Sequence, residues 1–320
     1  MAMQAITDDV WYDEVFSMCF SKLNITDIPG MTARDVHPPF YYIYLRLFII
    51  IGQTITGGGN EVVLAKMASV FPWFGLATIS MTYIRKKWGF FTGSFYLFLV
   101  TAMPQIGNYY VEIRMYSLAL LLITSAGLLA LSIIQDDNKK WKWFAFWIIG
   151  ILTAYTQYYA CIGIVGVYAG FMLLIVFPSR PRRKKIWAIL GCAIASVIAY
   201  IPWIKVVLNQ MNNINGTYWI QPLGIKSIFG CIKYIFLPVS LDGRICYVAC
   251  GLMLFSTATA LVCFIIKRER QLLVTIICLV IPLIVVVASG FVLSILGTPI
   301  FIYRYMVPTL GLFWLAVAII

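Results

Sequence analysis

The chain has 320 residues, of which 62% are hydrophobic, 16% aromatic and only 11% charged, with a mean hydropathy of +0.91. Soluble domains lie near 45–50% apolar and about 25% charged, so the composition excludes a soluble enzyme, a disordered chain and a disulfide-rich secreted module. What remains is an all-α polytopic membrane protein, and at about 20 residues per spanning helix the 320 residues hold at most roughly ten spans. The net charge of +12 implies nucleic acid only if the basic residues share one soluble face, and here they sit in short clusters between apolar runs.

Residues 1–37 are the acidic part of the chain and carry no signal-peptide pattern. Pro38 and Pro39 then suit a helix start, and Gly57-Gly58-Gly59 closes the helix over 38–56. Apolar runs of spanning character follow at 62–84, 88–107, 115–134, 143–158, 160–177, 186–208, 244–266, 271–291 and 305–320. Tyr155-Thr156-Gln157-Tyr158-Tyr159 breaks the continuous stretch 143–177 and predicts a tight reversal there. The expected fold is therefore about nine spans plus one juxtamembrane helix. It forms one domain over 1–320, with a loop at 1–61 preceding the helices of 62–320.

Topology decides how 38–56 lies. If this helix stays on the membrane surface, Arg85-Lys86-Lys87, Lys139 to Lys142, Arg180 to Lys185 and Lys267 to Arg270 fall on one side. Those loops hold 14 of the 24 basic residues and three of the 12 acidic ones, so the sides carry +11 and +1. The positive-inside rule makes the first side cytoplasmic. The acidic N-terminal segment and Glu112 then share the extracytoplasmic side. The eight cysteines lie mostly within apolar runs without a CxxC spacing, which predicts small buried hydrophobes and no metal site.

Four polar groups fall on that outer side: Asp13-Glu14, flanked by aromatics; Asp35-Val36-His37-Pro38-Pro39, with the only histidine; Glu112-Ile113-Arg114-Met115-Tyr116; and Arg304-Tyr305. Charge at membrane depth is costly and marks a cavity or a partner. Each group also has a plainer reading: solvated loop acids for Asp13 and Glu14, an interfacial residue for His37, a structural ion pair for Glu112 and Arg114.

Together these motifs resemble glycosyltransferase family 39, the group of protein O-mannosyltransferases and their bacterial relatives within the GT-C superfamily. The resemblance runs from Trp11 to about Pro308 and rests chiefly on the acidic pair with the Asp-x-His-Pro-Pro motif. It implies an inverting hexosyl or pentosyl transfer from a polyprenyl-phosphate sugar to an acceptor hydroxyl of a protein, lipid or glycan on the extracytoplasmic face of a cell membrane. No cofactor is required; a divalent metal is compatible but unsupported. By the resemblance Asp13 is the general base, since an attacking hydroxyl must lose its proton to a positioned carboxylate. Glu14 orients the acceptor or tunes Asp13.

Arg114 and Arg304 are the phosphate ligands, with Arg46 and Lys226 as weaker candidates. Asp35, His37, Glu112 and Tyr116 complete the substrate-binding set. The chain departs from the family in having no helix before the acidic pair, in stopping within its last apolar run, and in carrying Gln157 where many relatives have histidine. The resemblance therefore implies a chain truncated at both ends. The rival class is a transporter or lipid-linked sugar flippase, for which repeated halves are expected and not seen; a non-catalytic scaffold is the third. The loop 209–243, with Tyr218 and Trp219, is the expected cover of the site.

Overall fold

The structure is a computed structural model that describes residues 9–135, 139–177, 183–213, 220–236 and 270–320, with isolated positions between 248 and 266. The described residues are helical, without strands. In chain order come α1 (Tyr12–Ser21), a short turn of helix at Ile28–Thr32, α2 (Phe40–Thr56), α3 (Glu61–Ile79), α4 (Phe90–Ala102) and α5 (Pro104–Tyr109). Then follow α6 (Tyr116–Gln135), α7 (Lys140–Ala154), α8 (Tyr158–Val176), α9 (Arg183–Asn213), α10 (Ile225–Phe236), α11 (Arg270–Leu296) and α12 (Val307–Ile319). Five helices are long and apolar enough to cross a membrane: α3 as continued to Trp88, α6, α8, α9 and α11.

The other runs differ from their sequence reading for local reasons. The run 88–107 is broken at Met103, whose extended backbone precedes Pro104. A residue before proline is pushed out of the helical region, and Pro104 then opens α5 at its first turn. The run 143–158 yields a 15-residue helix, about 22 Å long, against a hydrocarbon core of about 30 Å. α12 has 13 residues. Most of the run 244–266, and both Tyr218 and Trp219, lie outside the described residues. Cys231 and Cys278 are buried as expected, but Cys19 and Cys263 are exposed.

Glycines set the closest helix contacts. Gly163, Gly166 and Gly170 of α8 form one stripe, and a Cβ on Gly166 would stand 2.6 Å from the Pro282 Cα of α11. A Cβ on Gly170 would meet the Cys278 carbonyl oxygen at 2.8 Å. Without a hydrophobic drive between helices in lipid, such small residues let backbones approach closely and gain dispersion energy. α3 passes through a π-helical turn at Ser80–Ile84, where the Ser80 hydroxyl donates to the Gly93 carbonyl of α4 at 2.6 Å.

These contacts give the bundle a polarity. α6 starts beside Arg114 and ends where the Lys185 ammonium donates to the carbonyls of Ile133 and Ile134. α3 runs the same way, with Gly75 against Leu121 of α6. α7 runs back, pairing Trp143 with Phe171 and Gly150 with Ile164 of α8. Arg85 to Lys87, Lys139 to Lys142, Lys184, Lys185 and Arg270 therefore gather at one end. The reversal at 155–157, the turn at 110–115 and residues 297–306 gather at the other.

α2 stays at that second end. The Phe40 N–H donates to the Tyr155 carbonyl at 2.9 Å, and Gln53 near its far end donates to Glu61, the first residue of α3, at 3.1 Å. Both ends of the helix thus lie at the same end of the bundle, and it does not traverse it. Gly57, in the left-handed conformation at φ 68°, ends it and turns the chain into α3.

Candidate functional site

The site lies at the end of the bundle away from the basic clusters, and its first residues are placed by a helix cap. Trp11 is the extended N-cap of α1, and Glu14 three residues on reaches back to accept the Trp11 N–H at 3.0 Å. The second Glu14 oxygen accepts the N–H of Ile113 at 2.9 Å. One buried carboxylate therefore caps α1 and clamps it to the turn that carries Glu112 and Arg114. It also fixes the direction of Asp13, its neighbour in the first turn.

Asp13 stands between two guanidinium groups. Its Oδ2 accepts from Arg304 Nη1 at 3.2 Å and lies 3.9 Å from Arg114 Nη2. Arg114 Nη1 also donates to the Asp13 backbone carbonyl at 3.3 Å. The remaining Arg114 contact is His37, with Nη2 3.2 Å from the imidazole Nε2, while His37 Nδ1 lies 2.8 Å from Asp35 Oδ2. Arg114 is buried; Asp13, Asp35, His37 and Arg304 are each between a fifth and about a quarter exposed. Arg304 lies 6.0 Å above the ring of Tyr116, a cation–π arrangement that gives Tyr116 a place beneath the site.

Beside this cluster opens a cleft of about 470 Å³ lined by Asp9, Trp11, Glu14, Lys66, Asn108, Val111 and Glu112. Among the described residues one Glu112 oxygen is buried without a hydrogen-bond partner. Burial pushes its carboxyl up to about 7, against the opposing pull of Arg114 and Arg304. Burial lowers the His37 imidazole from its usual value, outweighing its hydrogen bond to Asp35, which raises it.

All eight residues singled out by sequence (Asp13, Glu14, Asp35, His37, Glu112, Arg114, Tyr116 and Arg304) meet in this one cluster. Backbone amides occupy both oxygens of Glu14, so it positions Asp13, while Glu112, Glu14 and Asp9 all border the cleft. Arg46 is half-buried on α2 and Lys226 is exposed on α10, and neither bonds to the cluster among the described residues. Gln157 caps α8, accepting the Ala160 N–H at 3.0 Å.

Lys66, whose ammonium donates to the Asp9 carbonyl at 2.8 Å, was missed by sequence reasoning. Its signal was available, because it is the one charge inside the run 62–84. Among the described residues no group of three or more His, Cys, Asp and Glu side chains is arranged to hold a metal ion. Compared with protein-family models, curated proteins and solved structures, the chain finds no match.

Proposed function

We propose that the chain is a membrane glycosyltransferase resembling family 39, with a GT-C-type bundle of about nine spans. It moves a hexose or pentose from a polyprenyl-phosphate carrier to an acceptor hydroxyl on the extracytoplasmic face. One observation carries this reading: a single carboxylate, Asp13, is held between the guanidinium groups of Arg304 and Arg114, at the end of the bundle opposite the basic clusters.

The chemistry follows from what each group can give. A guanidinium only donates, and its planar fork fits two oxygens of a phosphate as well as those of a carboxylate. In the structure Asp13 takes that place. A donor phosphate engaging Arg114 and Arg304 competes with Asp13 for them and frees its carboxylate to accept the acceptor proton. The hydroxyl oxygen attacks the anomeric carbon as the bond to the phosphate oxygen breaks, and the departing phosphate keeps the electron pair under the two cations. Displacement in one step inverts the anomeric centre. The cleft beside Trp11 and Glu112 is the place for the acceptor, with the Trp11 ring as a stacking wall. The nine-span count is the same reading extended to the shorter helices α4, α7 and α12 and to the run 244–266.

The test is turnover of radiolabelled polyprenyl-phosphate hexoses and pentoses by the purified chain in nanodiscs, with and without acceptor. Acceptor-dependent release of polyprenyl phosphate, abolished in Asp13→Asn, is the expected result. Movement of intact donor between leaflets without cleavage refutes the proposal in favour of a flippase.

A further inference from the structure

We infer that Asp35 and His37 form a positioning relay that holds the Arg114 guanidinium against Asp13, and that protonation of His37 releases it. The argument begins with donor and acceptor inventories. Arginine has no acceptor, so the 3.2 Å contact between Arg114 Nη2 and His37 Nε2 requires a lone pair on Nε2. The imidazole is then neutral with its proton on Nδ1, and that proton points to Asp35 Oδ2 at 2.8 Å. Asp35 selects the tautomer, the tautomer presents an acceptor, and the acceptor orients the arginine.

The surroundings leave the ring little freedom. Phe16 and Tyr42 flank it with ring centroids at 6.1 and 6.4 Å, and Pro38-Pro39 restrict the backbone that follows. The titratable or charged groups around it are Asp35 on its own segment, Arg114 before α6, Asp13 on α1 and Tyr42 on α2. An imidazolium turns the Nε2 contact into two N–H groups facing each other beside a like charge. Arg114 then loses a partner on one side while Asp13 keeps Arg304. The burial that disfavours the charged imidazole keeps the relay intact at neutral pH and confines its loss to acid.

His37 is the chain's only histidine, so labelling with 15N-histidine gives the ring signals of this residue alone. In detergent micelles at pH 7.5 the expected state is the Nδ1–H tautomer, titrating below the ordinary imidazole value of about 6.5. Asp35→Leu is expected to shift the ring to the Nε2–H form. An Nε2–H tautomer in the unsubstituted chain overturns the relay whatever the protein's activity.

The phosphate part rests on the glycosyltransferase reading and is tested by titrating farnesyl phosphate, with intrinsic tryptophan fluorescence as the readout. His37→Phe should weaken binding about tenfold at pH 7.5. His37→Gln keeps an acceptor oxygen for Arg114 but has no proton to gain, and should recover most of that loss. Between pH 7.5 and 5 the unsubstituted chain should lose about tenfold more affinity than His37→Gln; the probe's own titration is common to both and cancels. Parallel pH profiles overturn the switch. The expected tautomer with no farnesyl phosphate binding at any pH upholds the relay and sinks the lipid-phosphate reading.

Discussion

Arg304 and Arg114 contribute unequally to the same carboxylate, and the difference is measurable. Arg304 is within hydrogen-bonding distance of Asp13 Oδ2, whereas Arg114 Nη2, at 3.9 Å, acts through its charge. Losing one preorganised donor to a developing negative charge costs a factor on the order of 10²–10³. Arg304→Gln should therefore lower kcat/KM for the lipid-linked donor by about that factor, with Arg304→Lys recovering part of it as a point charge without the fork. Equal activity of the unsubstituted chain and Arg304→Gln removes Arg304 from phosphate binding.

Glu112 makes a second residue-scale prediction, with a sign. Burial pushes its carboxyl up to about 7 from an ordinary value of 4.5, so its stabilising contribution is fully present below pH 4.5 and lost as pH rises through 7. The shift corresponds to about 3 kcal/mol. Thermal unfolding in detergent should show a falling Tm between pH 5 and 8, and Glu112→Gln should flatten that limb. His37 acts oppositely. Its lowered pKa confers stability that is lost as pH falls from about 6.5 through the folded value, so Glu112→Gln should leave an acid limb in place.

Among the elements, α8 packs its glycines against the backbone of another helix. Gly166 meets a backbone atom of Pro282, so a side chain there forces two spanning helices apart and cannot be absorbed by a rotamer change. Gly166→Leu should cost well over the roughly 1–3 kcal/mol usual for overpacking, read as a lower Tm and reduced yield of folded protein. Gly150→Ala is the control: its Cβ would meet Tyr168 and Ile164 at ordinary contact distances of 3.5 Å and beyond, and should change little.

This scale also shows what was legible in the sequence. The helix after Pro38-Pro39, its stop at Gly57 and the reversal near Tyr155 were readable, because proline, glycine and a run of polar residues act through local backbone geometry. The break at Met103 had the same kind of signal in Pro104 but was masked by the apolar run around it. The Gly163-Gly166-Gly170 face, and the partners of His37 and Asp13, depend on which helices pack together. No local pattern encodes that. The residue types of the site were therefore visible, and the backbone clamp that Glu14 makes on the turn at Ile113 was not.

At the scale of the whole molecule the basic clusters and the site occupy opposite ends. Arg34 is exposed beside Asp35, and Lys86 is exposed at the basic end. In a background without the eight native cysteines, Arg34→Cys should react with a membrane-impermeant maleimide in intact cells, and Lys86→Cys only after permeabilisation. The reverse pattern would put the site in the cytoplasm and remove the extracytoplasmic transfer reading. Both ends of α2 lie at the site end, so cysteines introduced near either of them should share one accessibility.

The pair between Asp13 and Arg304 joins residues 291 positions apart. At a synthesis rate of about 5–20 residues per second, Asp13 is made roughly 15–60 s before its partner. Through that interval the helices after α1 can enter the membrane, but the Asp13 carboxylate lacks one of its two guanidinium partners. The Asp13–Arg304 pair therefore closes only when the segment before α12 docks. On the function proposed above, first activity in a synchronised cell-free synthesis would follow the synthesis of Arg304, not the appearance of the earlier motifs.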